Sequence, residues 1–174
     1  MKKQPEQTRA TRQKFLDAFW NLYQKKSIDK ITVGELTRSA GFNRGTFYEY
    51  FIDIYDLLNQ AEDELLSEIR VEMKVAFHDG ISNDLGEYSV RCALVFKKFD
   101  DRIFLLLGET GDSKFTFKLQ TVFSAIFSSL YQISFDVPHA DYVISFIFSS
   151  ITGVMRHWYE KGKDISEEEL LGLL

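Results

Sequence analysis

Residues 31–51, ITVGELTRSAGFNRGTFYEYF, contain two short helix signatures separated by Gly41-Phe42-Asn43, and this stretch decides the fold. Thr32 occupies an N-cap position, with Glu35 three residues later to complete a capping box. Ile31 is spaced to meet Leu36 as a hydrophobic staple. Gly41 supplies a left-handed stop. The pattern repeats with Phe42, Asn43 and Phe47 for a third helix. It repeats again with Ile52, Asp53 and Leu57 for a fourth, which runs to about residue 77 or 78. Consecutive helices with such fixed starts predict a helix-turn-helix, the device that places one helix in a DNA groove.

Outward from this core, Phe15, Leu16, Phe19, Trp20 and Tyr23 form an apolar stripe on a first helix over residues 8–25, and Ser27-Ile28-Asp29-Lys30 link it to the second. Towards the C-terminus the periodicity predicts helices at about 84–99, 101–108, 113–134, 138–161 and 166–174. The last of these opens with Ile165, Ser166, Glu169 and Leu170 in staple and capping-box positions. No alternating strand-length run with turn chemistry stands out, so an all-α chain is expected. Two domains follow: a helix-turn-helix DNA-binding domain at 1–55 and a helical regulatory and dimerisation domain at 56–174.

Charge divides in the same way. Of 174 residues with a net charge of –5, residues 1–55 hold ten Lys/Arg and six Asp/Glu, while the remainder holds eleven and twenty. A basic third on an acidic body is the asymmetry of a small DNA-binding domain joined to a domain that does not touch DNA. Apolar content of 45% argues for a packed globule. The single Cys92 rules out an intramolecular disulfide and reads as a buried, inert thiol. The opening MKKQPEQTRATRQ is polar throughout, and the apolar run 142–155 is broken by Ser145, Ser149, Ser150, Thr152 and Gly153. Neither a signal peptide nor a membrane span is read, and a cytoplasmic location is expected. His78, His139 and His157 form no metal pattern, and there is no phosphate-cradling glycine loop or nucleophile elbow. Neither an enzyme nor a resident cofactor is expected.

On a helical wheel, Phe47 and Phe51 anchor the third helix on the core, while Gly45 and Glu49 point outward. Arg44 and Tyr48 flank one side, Thr46 and Tyr50 the other. Gly45 removes a side chain where backbone approaches the groove. Arg44 suits a bidentate contact to a guanine edge, Glu49 a cytosine amine, and Tyr48 the backbone or a thymine methyl. The hydroxyls of Thr46 and Tyr50, with free amides at the starts of the second and third helices, suit phosphates. These assignments predict that Arg44→Ala relaxes preference at one base pair and that Tyr50→Phe weakens all sequences alike.

Residues 31–51, followed by Asp53-Ile-Tyr-Asp-Leu-Leu58, resemble the DNA-binding domain of the TetR family of bacterial transcription regulators over roughly residues 8–60. Asn43, at the start of the third helix, is a further candidate DNA contact, and the resemblance implies contacts at Thr32, Thr46, Tyr48 and Tyr50, a homodimer on double-stranded DNA with a pseudo-palindromic operator, and a small-molecule effector in the C-terminal domain. It further implies a repressor released by that effector. Two positions depart from the family pattern: Ile54 replaces a phosphate-gripping lysine, and Gly34 replaces an occasional arginine. A basic arm of Lys2, Lys3, Arg9 and Arg12 is expected to compensate. The same departures motivate an alternative: a family-fold adaptor or co-regulator whose DNA binding depends on a protein partner.

For the dimer, Phe146, Ser150, Gly153 and His157 recur at 4-3-4 spacing with small residues that permit close helix approach, and Leu170 and Leu174 add apolar surface. Phe96, Phe99, Phe104, Phe123 and Phe127 are the candidate lining of an effector pocket, for an apolar, aromatic or cationic small molecule.

Overall fold

The computed structural model describes residues 5–80, 85–108, 113–131 and 139–173, and all regular structure among them is helical. The order is α1 (Pro5–Tyr23), a 3₁₀ turn at Ile28–Lys30, α2 (Val33–Ala40), α3 (Arg44–Tyr48), α4 (Ile54–Ala76), α5 (Leu85–Lys98), α6 (Asp100–Leu107), α7 (Ser113–Tyr131), α8 (Ala140–Glu160) and α9 (Glu167–Leu171). The all-α class read from the sequence is the observed one. No helix of the described residues is long and apolar enough to cross a membrane. The chain forms two compact units, residues 1–64 and 65–174, with α4 passing from the first into the second.

In the first unit, Phe15 on α1 is the centre of the core. Its ring lies 5.1 Å from Phe42, 5.7 Å from Phe47 and 5.9 Å from Phe51, the last two edge-on. Edge-to-face rings add roughly 0.5–1.5 kcal/mol per pair beyond the area they bury. Residues from α1, the turn and α3 therefore share one aromatic cluster. Leu36 and Leu57 are fully buried beside it, and Ile31 is buried as the staple requires. Across the unit, Arg12 on α1 donates to Glu64 at 2.7 Å and to Gln60 at 3.3 Å on α4.

The second unit has its own core, with Cys92, Ile103, Phe115, Leu119 and Ile151 fully or almost fully buried. Phe104 stacks on Tyr159 at 4.9 Å, joining α6 to α8, and Phe123 meets Phe148 at 5.5 Å, joining α7 to α8. Arg102 on α6 donates to Glu68 on α4 at 2.8 Å, and its cation lies 5.4 Å from the Phe99 ring.

Candidate nucleic-acid interface

Helix α2 starts as its sequence dictates. Thr32 Oγ1 accepts the Glu35 amide at 3.2 Å, which satisfies one of the amides a helix start leaves without a partner. The capping box is only half made. The Glu35 carboxylate is drawn to Lys26 Nζ, a charge-assisted partner, instead of returning to the Thr32 amide. Gly41 ends the helix at φ 77°, a left-handed conformation that glycine adopts without steric cost. Asn43 then caps α3, its Oδ1 accepting the Thr46 amide at 2.8 Å. Two turns of backbone are thus fixed by side chains within twelve residues.

Helix α3 spans only five residues and is anchored by Phe47, which is fully buried. Asn43, Arg44, Gly45, Tyr48 and Glu49 are exposed, as is Thr32 at the head of α2. Tyr48 stands 58% exposed, unlike Phe15, Phe47 and Phe51 around it in the chain's aromatic cluster, which are buried. A Cβ at Gly45 would lie 3.2 Å from Asn43 Oδ1, so a side chain there would press on the capping oxygen.

Four expectations are corrected. Tyr50 does not offer its hydroxyl outward: its oxygen is buried, and its ring lies 6.2 Å from Phe15. Beyond Tyr48 the turn tightens, with the Tyr50 amide bonding Phe47 O at 3.0 Å. In such a 3₁₀ turn the residues no longer follow a 100° wheel, and the Tyr50 ring lies 6.3 Å from that of Phe51. The Thr46 hydroxyl donates to Asn43 Oδ1 at 3.2 Å, so it reinforces the cap and has no proton left for a phosphate. The staple expected of Ile52 fails. Its amide donates to Asp56 Oδ2 at 2.8 Å while its side chain is 79% exposed, and Ile54 is the residue that turns inward. The basic arm is also smaller than expected. Arg12 is engaged by Glu64, Arg9 is exposed on α1, and Lys2 and Lys3 lie outside the described residues.

Sequence reasoning missed Arg38. Its Nε donates to the Gly34 carbonyl at 3.2 Å, and the Arg44 guanidinium lies over the same glycine. Arg38 falls one helical turn after Gly34, and that i, i+4 spacing was the available signal.

In the second unit, α8 has two faces. Ile144, Ile147, Phe148, Ile151, Met155 and Trp158 are buried. Phe146 is 72% exposed, His157 is exposed, and Ser150 and Gly153 are half-buried, with nothing within 4 Å of a Cβ placed at Gly153. Tyr142, Val143 and, on α7, Phe117 are exposed too. The expected interface role of Leu170 is corrected: it is buried within this unit. The Trp158 Nε1 donates to the Ile165 carbonyl at 2.9 Å and Lys97 pairs with Glu167, which together hold α9 against α8 and α5. Leu174 lies outside the described residues. Phe96, Phe99, Phe104 and Phe123 are buried core residues, whereas the Phe127 side chain lies outside what is described. A cleft of about 260 Å³ is lined by different residues, among them Leu107, Thr116, Gln120, Phe148, Ser149 and Arg156.

Three carboxylates among the described residues of this unit are shifted by partners, one of them Asp164, which Lys161 at 2.8 Å holds below the ordinary range. Arg91 donates to Asp79 at 2.8 Å and holds its carboxyl below the ordinary range. The Ser166 backbone amide donates to Glu169 at 2.9 Å, lowering that carboxyl in the same way and completing a full capping box on α9.

Comparison with known proteins gives a consistent family. Residues 15–61 match the family described as bacterial regulatory proteins, tetR family, and residues 83–174, just over half of the chain, match the transcriptional regulator C-terminal region of the same group. An uncharacterized HTH-type transcriptional regulator of Bacillus subtilis, YvdT, is 30% identical over 74 residues, which is 42% of this chain and 38% of that protein. The chain therefore aligns with well under half the length of this curated relative. Among solved structures, the fatty acid degradation regulator FadR from Bacillus halodurans superposes with a TM-score of 0.70 at 17% identity, covering 99% of this chain and 92% of that one. A TetR transcriptional regulator from Streptococcus agalactiae gives 0.65 at 24% identity, covering 97% and 93%. At these identities the structural likenesses speak for the fold alone. With both ends of the chain matched, and the exposed rim of α3 on the helix that such a motif inserts into DNA, this protein belongs to the TetR family of bacterial regulatory proteins.

Proposed function

We propose that the chain is a homodimeric, sequence-specific DNA-binding transcription regulator, a repressor released by a small-molecule effector. One observation carries the DNA-binding reading. Helix α3 is pinned from within by Phe47 and at its start by Asn43, while Arg44, Gly45, Tyr48 and Glu49 lie on its solvent side. A rim held this rigidly loses little conformational entropy on entering a groove. Arg44 reads a base edge, Tyr48 and Glu49 touch bases or backbone, and Gly45 lets the helix approach closely. Thr32 retains its hydroxyl proton for a phosphate, and the Nδ2 protons of Asn43 serve the same purpose. Thr46 supports the cap, and Tyr50 belongs to the core.

The outward face of α8, with Phe146, Ser150, Gly153 and His157, pairs two copies so that the recognition helices address half-sites ~34–36 Å apart. An effector in the C-terminal unit needs only ~1–3 kcal/mol of preference for one separation of those helices to control binding. Selection of duplexes by the purified chain from a randomised pool tests this reading. A two-fold symmetric sequence is expected, and recovery of a pool indistinguishable from the input would refute it.

A second reading has its own support. With Ile54 buried, Arg12 engaged, the Thr46 hydroxyl committed to the cap and the Tyr50 hydroxyl buried, few side chains remain to grip phosphates. Binding would then require a protein partner, and the purified chain alone would leave its target fragment unshifted at low salt while a cell extract restores the shift.

A further inference from the structure

Gly34 sits in the first turn of α2, where nothing about the backbone asks for glycine: among the described residues the glycines with positive φ are Gly41, Gly80 and Gly162. Inside a helix glycine is destabilising relative to alanine, so its presence calls for a spatial reason. The surroundings supply one. A Cβ at Gly34 would stand 2.8 Å from an Nη of Arg44 and 3.6 Å from its Cζ and Nε, closer than atoms pack without one of them moving. The guanidinium of the recognition helix therefore lies directly on the bare Cα of the preceding helix. The carbonyl of the same residue accepts from Arg38 Nε and from Thr37 Oγ1, each at 3.2 Å. Two arginines, one from each helix of the motif, thus converge on a single glycine. Among the described residues no carboxylate pairs with Arg44, an exposed side chain with several rotamers open to it.

We infer that the missing side chain at Gly34 is the seat that positions Arg44, making Gly34 a specificity-determining residue for the operator base pair that Arg44 reads. This rests on the DNA-binding reading above. A methyl at position 34 meets only the far end of a flexible side chain, so the helix keeps its place and the guanidinium moves. Gly34 acts through Arg44 and is a positioning residue rather than a contact.

The test uses the full chain, the duplex that the unmodified chain recovers from a randomised pool, and every single-base-pair variant of that duplex. Gly34→Ala is expected to melt no lower than the unmodified chain. It should lose ~10-fold in preference at the one base pair where Arg44→Ala also loses it, the size of one good bidentate contact. Gly34→Ala added to Arg44→Ala should change nothing further. The inference is overturned if Gly34→Ala leaves the base profile and affinity unchanged, or if it weakens binding by the same factor with and without Arg44, because the methyl would then be obstructing DNA itself. If Arg44→Ala weakens all duplexes equally, Arg44 grips backbone instead of a base. That result overturns the inference, because a seat for a backbone contact would have no part in base choice. Recovery of no duplex at all removes the DNA-binding reading and this inference with it, a result distinct from a bound duplex indifferent to Gly34→Ala.

Discussion

The two units solve opposite surface problems. Residues 1–64 gather their aromatic rings around Phe15 and leave a polar rim of Arg44, Tyr48 and Glu49 outside. Residues 65–174 bury one stripe of α8 and leave Phe146, Tyr142 and Val143 in solvent. Isolated exposed apolar residues need no explanation, but Tyr142, Val143 and Phe146 within two turns of α8 form a cluster of the kind that marks an association site. Helix ends differ as well. Thr32 and Asn43 cap α2 and α3 with side chains, whereas in the second unit Ser166 caps α9 but Phe99 before α6 and His139 before α8 make no side-chain cap. The first unit sets its helix starts by local side chains and closes its core around Phe15. The second depends on long-range packing and has an unpartnered face.

If that contrast is right, the largest effect comes from removing the anchor of the first unit. Phe47→Ala should cost about 3–5 kcal/mol of stability in that unit. Circular dichroism melting should then show an early transition, with self-association unchanged by sedimentation. Loss of both together would mean the two units are not independent in this sense. Next, Phe146→Glu places a charge in the exposed apolar face, and analytical ultracentrifugation should show dimer affinity falling by at least about 2 kcal/mol, as for a hot-spot side chain. An unchanged dimer would move the interface elsewhere. Asn43→Ala removes the α3 cap and should cost ~1 kcal/mol, read as a lowered melting midpoint of the first unit. Restoration by Asn43→Ser would tie the loss to the cap itself.

The smallest effect is on pH. Asp79 and Glu169 have carboxyls lowered from the ordinary values of 3.8 and 4.5. A lowered folded-state pKa contributes stability above the unfolded value that is lost as pH falls through the folded one. The second unit should therefore weaken on acidification from about pH 4.5 downward, and α9 should loosen with Glu169. In a Trp20→Phe background, Trp158 is the remaining indole and reports on the Ile165 carbonyl it binds. Glu169→Gln should flatten its acid fluorescence transition, and an unaltered transition would exclude the α9 cap as its source.

Much of this architecture was legible in the sequence because it is written locally. Caps at Thr32, Asn43 and Ser166, the Gly41 stop and the Phe47 anchor each involve residues within a few positions of one another, and each is observed. Misreadings arose where geometry departed from an ideal helix or depended on a distant partner. Tyr50 was placed on a wheel that α3 does not complete. Thr46 has its hydroxyl drawn to the cap, and Arg12 has a partner 52 residues away. Leu170 was read as interface because an apolar terminus looks unpartnered until α9 is known to fold against its own unit. Gly34 stood out only as a missing side chain, since the reason for it lies on the next helix.

The most direct test of the central claim, that the outward rim of α3 binds DNA, is a fluorescence anisotropy titration of the purified chain against its own selected duplex across a salt series. Binding should be two-fold symmetric in sequence, should weaken steeply with salt as phosphates are neutralised, and should be lost for Arg44→Ala combined with Tyr48→Ala. Salt-insensitive binding, or binding that survives the double substitution, would contradict the claim.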